Sequence, residues 1–135
     1  MDHNCVTCKT GKPPTKQPDM TIEEIEADIR QLRSPPVMDQ MEEWIASRPP
    51  AVREMARKFP HYQLYRVKEN APYRFTVAGS IVGILKFTET SEGVEPWFHV
   101  LRSPLGYAGV VAHIDPYWIE PITLDELKES VNEDR

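Results

Sequence analysis

Apolar residues recur along the first third of the chain at helical spacing. Ile22, Ile25, Ile29 and Leu32 form one narrow stripe, with only charged, polar or alanine residues between them. Thr21 and Glu24 open the stretch with the spacing of a capping box, in which each side chain satisfies the other's backbone N–H. Ser34-Pro35-Pro36 closes it, because the residue before a proline is steered out of the helical region. The pattern predicts a helix over 21–33 lying on a surface, either of its own domain or of a partner. A second helix is expected from Pro36 to Ser47, with Val37, Met41, Trp44 and Ile45 on one face. Pro50 then suits the first turn of a third helix ending at Phe59, since its missing N–H would be unpaired there anyway. Val52, Met55, Ala56 and Phe59 supply its apolar face, and Pro60 stops it. Three short helices separated by prolines predict a kinked cap rather than a long bundle.

After Pro60 the period shortens from helical to alternating. Tyr62, Leu64, Tyr65 and Val67 begin a strand-rich stretch, and Asn70-Ala71-Pro72 makes a turn. Tyr73–Val77 alternates aromatic or β-branched residues with polar ones and reads as a strand. Ile81–Thr88 reads as a long strand, with Gly83 as its bend or bulge. Ser91-Glu92-Gly93 is a hairpin turn, and Glu95–Leu101 a strand that Pro96 places at an edge. Tyr107–His113 is a further strand. Asp115-Pro116-Tyr117 forms one helical turn, and Trp118–Ile122 a last short strand. Thr123 and Glu126 repeat the capping box and open a C-terminal helix with Leu124, Leu127 and Val131 on one face.

Five or six strands in about 60 residues can bury their apolar faces by curling into a small barrel, which also removes exposed edges. The predicted fold class is therefore α+β. Short N-terminal helices pack on a small antiparallel Src-homology-3-like β-barrel, and a short C-terminal helix follows. The expected divisions are a loosely held tail over 1–20, helical segments over 21–59, the barrel over 60–122, and a helix with a charged end over 123–135.

Two short motifs carry a resemblance. Arg48-Pro49-Pro50-Ala51-Val52-Arg53-Glu54 with Phe59-Pro60, and the closing His113-Ile114-Asp115-Pro116-Tyr117-Trp118-Ile119-Glu120, resemble patterns in short bacterial and phage proteins. In that group a small helical piece precedes a Src-homology-3-like β-domain that ends in a D-P-x-W-hydrophobic-E sequence. The resemblance covers roughly residues 48–122 and leaves out the first helix and the cysteines. It implies a phage or bacterial accessory protein and brings no activity with it.

Composition narrows the function classes. A net charge of −5 argues against a protein that tracks phosphates or sits on anionic lipid, since both need clustered Lys and Arg. Arg53, Arg57 and Lys58 make only a small local basic patch. No apolar run approaches the ~20 residues of a membrane span. The polar first residues lack the apolar core of a signal peptide, and two cysteines this close cannot staple a fold. A cytoplasmic setting is the simplest reading.

Candidate chemistry is sparse. Cys5-Val6-Thr7-Cys8 can hold one zinc between two thiolates, and His3 can add a third ligand. A structural site wants four, and the remainder would have to come from His61, His99, His113, a carboxylate or a second chain. The alternatives are free thiols, or a redox dithiol, which would need the first thiol at a helix N-terminus. No Ser or Cys stands with a His and an acid in a nucleophile motif, and the scattered glycines lack phosphate-binding spacing. No catalytic residue is assigned.

The aromatics of the last third are the remaining lead. Adjacent residues of a strand face opposite ways, so Trp97 and Phe98 should not both point inward. Trp118 is expected inside, and Trp97, Tyr107 and Tyr117 exposed as a contact surface. The sequence thus predicts a non-catalytic protein-binding module. Trp97, Tyr107 and Tyr117, together with Ile25 and Ile29 of the first helix, would touch the partner. Helix 21–33 could equally be a dimerisation stripe. The alternative is a nucleic-acid-associated small barrel with a zinc knuckle at Cys5, Cys8 and His3. The partner's identity is beyond the sequence.

Overall fold

The computed structural model describes residues 16–133. Three helices come first: α1 (Ile22–Leu32), α2 (Pro35–Ala46) and α3 (Pro50–Lys58). Their punctuation is local. Thr21 and Glu24 form the full capping box, the Glu24 carboxylate accepting from the Thr21 N–H at 2.8 Å. Prolines occupy the first turns of α2 and α3, where no intrahelical N–H is lost. Five strands follow: β1 (Leu64–Val67), β2 (Ile81–Thr90), β3 (Gly93–Arg102), β4 (Val111–His113) and β5 (Ile119–Ile122). A 3-10 turn, Pro116–Trp118, precedes β5, and α4 (Leu124–Glu133) closes the described chain behind a second capping box at Thr123 and Glu126.

The strands form one antiparallel sheet in the order β4-β3-β2-β1-β5. The α+β class holds. The sheet does not close, so β4 and β5 remain edges and the expected barrel closure is not met. Edge protection comes instead from brevity, β4 having three residues and β5 four.

Alternation along the strands splits the apolar residues between two faces. Tyr65, Val67, Val82, Phe98, Val100 and Ile119 belong to the larger core, joined by Phe59 at the end of α3. Leu64, Ile81 and Leu101, next in sequence to three of these, and Ile122, three positions from Ile119, belong to a second core with Ile25 and Leu127. Helices α1 and α4 thus cover one face, and α3 reaches the other.

Four expectations are corrected here. Tyr73–Val77 is not a strand. It lies in an excursion whose ends are pinched together by the Val67 N–H on Ser80 O (2.9 Å) and the Gly79 N–H on Val67 O (2.9 Å). Within it Phe75 and Thr76 turn inward, so the alternation reflects packing of a loop. The β2–β3 ladder shifts register between Ile81 and Val82 and again between Ile84 and Lys86, where Leu85 is left unpaired, and not at Gly83. Strand β3 is internal. It tolerates Pro96 because β4 pairs no further than Trp97, leaving β3 a local edge beyond. Residues 16–20, expected in the tail, are seated on the sheet. The Gln17 N–H donates to Gly106 O (2.9 Å), the Met20 N–H to Leu101 O (3.0 Å), and the Ser103 N–H to the Asp19 carboxylate (2.8 Å). Gly109 makes room for this seat, since a Cβ there would lie 2.5 Å from Gln17 Oε1, and its φ of +90° also favours glycine.

Candidate functional site

The apolar stripe on α2 is only partly covered. Val37, Met41, Trp44 and Ile45 share a face, yet only Ile45 is buried. The others look into a groove of about 1070 Å³. Asp28, Gln31 and Leu32 of α1 form one wall. Val37, Met38, Met41 and Trp44 of α2 form the next, and Ala56, Phe59, Pro60 and Tyr62 the end. Ile84, Leu85 and Phe87 of β2, with His99 of β3, supply the sheet side. The β2 irregularity makes this possible. It places Leu85 outside the regular pairing, and the side chain stands 46 % exposed at the groove. Trp44 is 38 % exposed there, so two of the four large exposed apolar side chains among the described residues border one concavity.

The polar groups of the groove are mostly committed. Arg57 and Glu42 pair across α3 and α2 at 3.2 Å. His61 Nε2 lies 2.8 Å from Leu32 O, and since a carbonyl only accepts, that nitrogen carries the proton. The Lys86 ammonium sits 5.7 Å above the Trp97 ring. Asp28 and His99 are the titratable groups of note beside these. Asp28 is exposed and makes no ion pair among the described residues. His99 lies half-buried opposite Gly83, whose missing Cβ would come within 3.3 Å of His99 Nε2. The glycine is what lets the imidazole lie across the strand.

Burial pushes the His99 pKa below its ordinary value, and the Asp28 carboxylate pushes back. The folded state therefore resists a proton that the unfolded chain accepts near pH 6.5. Where the unfolded state binds more protons, stability rises with pH. Stability should therefore fall as pH drops below about 6.5 and stop falling, on this account, beneath the folded pKa. Denaturant melts of the wild type and His99→Gln across that window should diverge, with the wild type losing more. Parallel curves would remove His99 as the cause.

The residues singled out in the sequence do not come together. Trp97 is buried, 5 % exposed, which corrects its assignment to the surface. The Lys86 side chain and the His113 ring (5.7 Å) cover it, so both members of the Trp97-Phe98 pair are enclosed. Tyr107 is half-buried, edge-on to Phe75 at 5.2 Å with Lys16 above it, and is likewise not the exposed ring expected. Trp118, expected inside, is only half-buried. Tyr117 alone of the three is exposed, at 68 %, with Lys68 over its ring. Ile25 is 1 % exposed and Ile29 packs beside it in the second core. Ile25 and Ile29 of the α1 stripe are thus taken up by the chain's own second core, while Leu32 at its end lines the groove. Cys5, Cys8 and His3 lie outside the described residues. Among the described residues no group of three or more His, Cys, Asp or Glu could hold a metal, and no helix is long and apolar enough to cross a membrane.

The groove was missed because its walls come from five separate stretches of chain. The signal available was α2 itself, whose stripe has no recognisable mate in the sequence. Searches against family models, curated proteins and solved structures find no match to this chain.

Proposed function

We propose that the chain is a non-catalytic protein-binding module, and that the groove between the helices and β2 receives an apolar segment of the partner. The supporting observation is the groove itself, an apolar concavity bordered by exposed Trp44 and Leu85. Exposed apolar surface gathered in one place marks contact sites more often than the same residues scattered. Met38 and Met41 add adaptable surface, as methionines do where a groove must fit a helix or strand of varied shape. The surface expected from the sequence is thus moved from the sheet aromatics to the helical side.

We read the sheet as an opened Src-homology-3-like one. Strand, long excursion, strand, tight hairpin, strand, loop, strand, 3-10 turn and strand follow in that order. With the resemblance of residues 48–122, this favours a phage or bacterial accessory protein working in the cytoplasm. The test is selection of a random displayed-peptide library on the immobilised protein. Enriched peptides should bind the wild type and lose about tenfold or more on the Trp44→Ala, Leu85→Ala double variant, as hot-spot truncations do. Peptides that bind both proteins equally would place the contact surface elsewhere, with Tyr117 the first alternative.

A further inference from the structure

The groove is walled by apolar side chains, but its charge can change. Asp28 and Glu42 stand among its lining residues with Arg57 and Lys86, so the fixed charges balance. Glu42 is paired with Arg57 at 3.2 Å, and Lys86 lies over the Trp97 ring. His61 and His99 add two imidazoles. His61 is tied through Nε2 to Leu32 O at 2.8 Å. His99 is different, because no hydrogen bond holds its ring among the described residues. It is half-buried, with Ile84, Leu85 and Phe87 lining the same space. Its cross-strand neighbours are uncharged, Gly83 on β2 and Val111 on β4. Asp28 on α1 favours the protonated ring, and burial opposes it. Water entering the groove therefore supplies the remaining solvation of an imidazolium at this position. An apolar side chain seated against Leu85 would expel that water. A charged ring would then be buried without partners for its N–H groups, whereas a neutral ring loses less. An occupant and a proton thus compete, although they bind different atoms.

We propose that His99 makes the groove pH-sensitive: the groove holds an apolar occupant while the imidazole is neutral and releases it as the ring takes up a proton. This rests on the binding-module reading above and adds its regulation. By linkage, affinity is full above the ordinary imidazole value of about 6.5 and falls as the pH drops beneath it. The probe is Nile red, an uncharged dye that fluoresces in apolar surroundings. It is titrated with the full chain at constant ionic strength from about pH 8 to about pH 5, a range that spans imidazole protonation. Circular dichroism is recorded at each pH, so that unfolding is not read as release. Affinity for the dye should fall at least about fivefold across that range in the wild type, the lower end of usual coupling between two ligands. In His99→Gln it should stay level. Asp28→Asn removes the charge that favours imidazolium and should move the fall to lower pH. Trp44→Ala with Leu85→Ala should lose the dye at every pH. A fall that persists in His99→Gln overturns the proposal, and its loss in His61→Gln would assign it to the other imidazole. A level wild-type profile, with the dye still lost in the double variant, overturns the pH inference while the groove reading stands. Dye that the wild type does not bind, or that the double variant binds as well, overturns both. Should His99→Gln fail to fold, NMR of the wild type decides. The His99 ring proton should titrate at lower pH with dye bound, and an unmoved midpoint overturns the proposal.

Discussion

Phe98→Ala is expected to destabilise the protein by about 3–5 kcal/mol, the range for truncating a buried phenylalanine. Phe98 has no exposed surface and sits where the helical cap meets the sheet. Its ring meets Phe59 edge-on at 6.2 Å and Tyr65 edge-on at 6.0 Å. Ile84 and Ala112 flank it across the two neighbouring strands. Truncation therefore removes burial, two aromatic contacts and the seat on which α3 rests. The backbone cannot collapse into the gap, because β3 is held by ladders on both sides at this position. Typical domain stability is only about 5–15 kcal/mol, so a large fraction of the fold's margin would be lost. Urea unfolding checks it, with a lower midpoint and an unchanged slope expected. Phe87→Ala, at a half-buried groove position, should cost clearly less. Equal losses at the two sites would contradict a core centred on Phe98.

The contrast between these two phenylalanines bears on what a sequence can disclose. Local chemistry was legible. Both capping boxes, the prolines that open α2 and α3, and the turn at Asp115 depend on residues within a few positions of one another. Asp115 caps its turn by accepting from the Tyr117 N–H at 2.9 Å, as its spacing suggests. The α+β order of elements was legible for the same reason. Exposure was not. The alternation rule says Trp97 and Phe98 face opposite ways, and the inference that one must be exposed assumed one bare face. Trp97 is instead buried in the same core cluster as Phe98, with Lys86 and His113 from two other strands against its ring. Tyr73–Val77 alternates like a strand but has no partner strand. The Tyr73 hydroxyl accepts from the Asp115 N–H at 2.8 Å, and Phe75 meets Tyr107, so the segment is ordered by contacts more than thirty residues away. The groove is the extreme case, since no stretch of sequence holds more than one wall of it.

Helix α1 poses the same question in a form that stability measurements decide. Its stripe could serve a partner or the protein's own core, and the pattern of Ile22, Ile25, Ile29 and Leu32 is identical in both cases. The fold assigns Ile25 to the second core, among Leu64, Ile81, Leu101, Ile122 and Leu127. Ile25→Ala is therefore expected to cost about 2–5 kcal/mol, and Ile25→Asp more, because an unpaired carboxylate would be buried among aliphatic side chains. Ile29→Ala, at a half-buried position, should cost less than Ile25→Ala. The damage should also reach α4, since Leu127 packs against the same cluster and Lys128 is tied to Glu26 at 3.3 Å. Hydrogen exchange in Ile25→Ala should show protection lost in α1 and α4 together, ahead of β2 and β3. A stripe kept for a partner behaves oppositely. Substituting Ile25 would then leave the stability of the isolated protein within about 0.5 kcal/mol of wild type and change only association. A large loss of stability with coupled exposure of both helices would place α1 in the domain's own architecture. The groove would then stand as an apolar surface left for a partner.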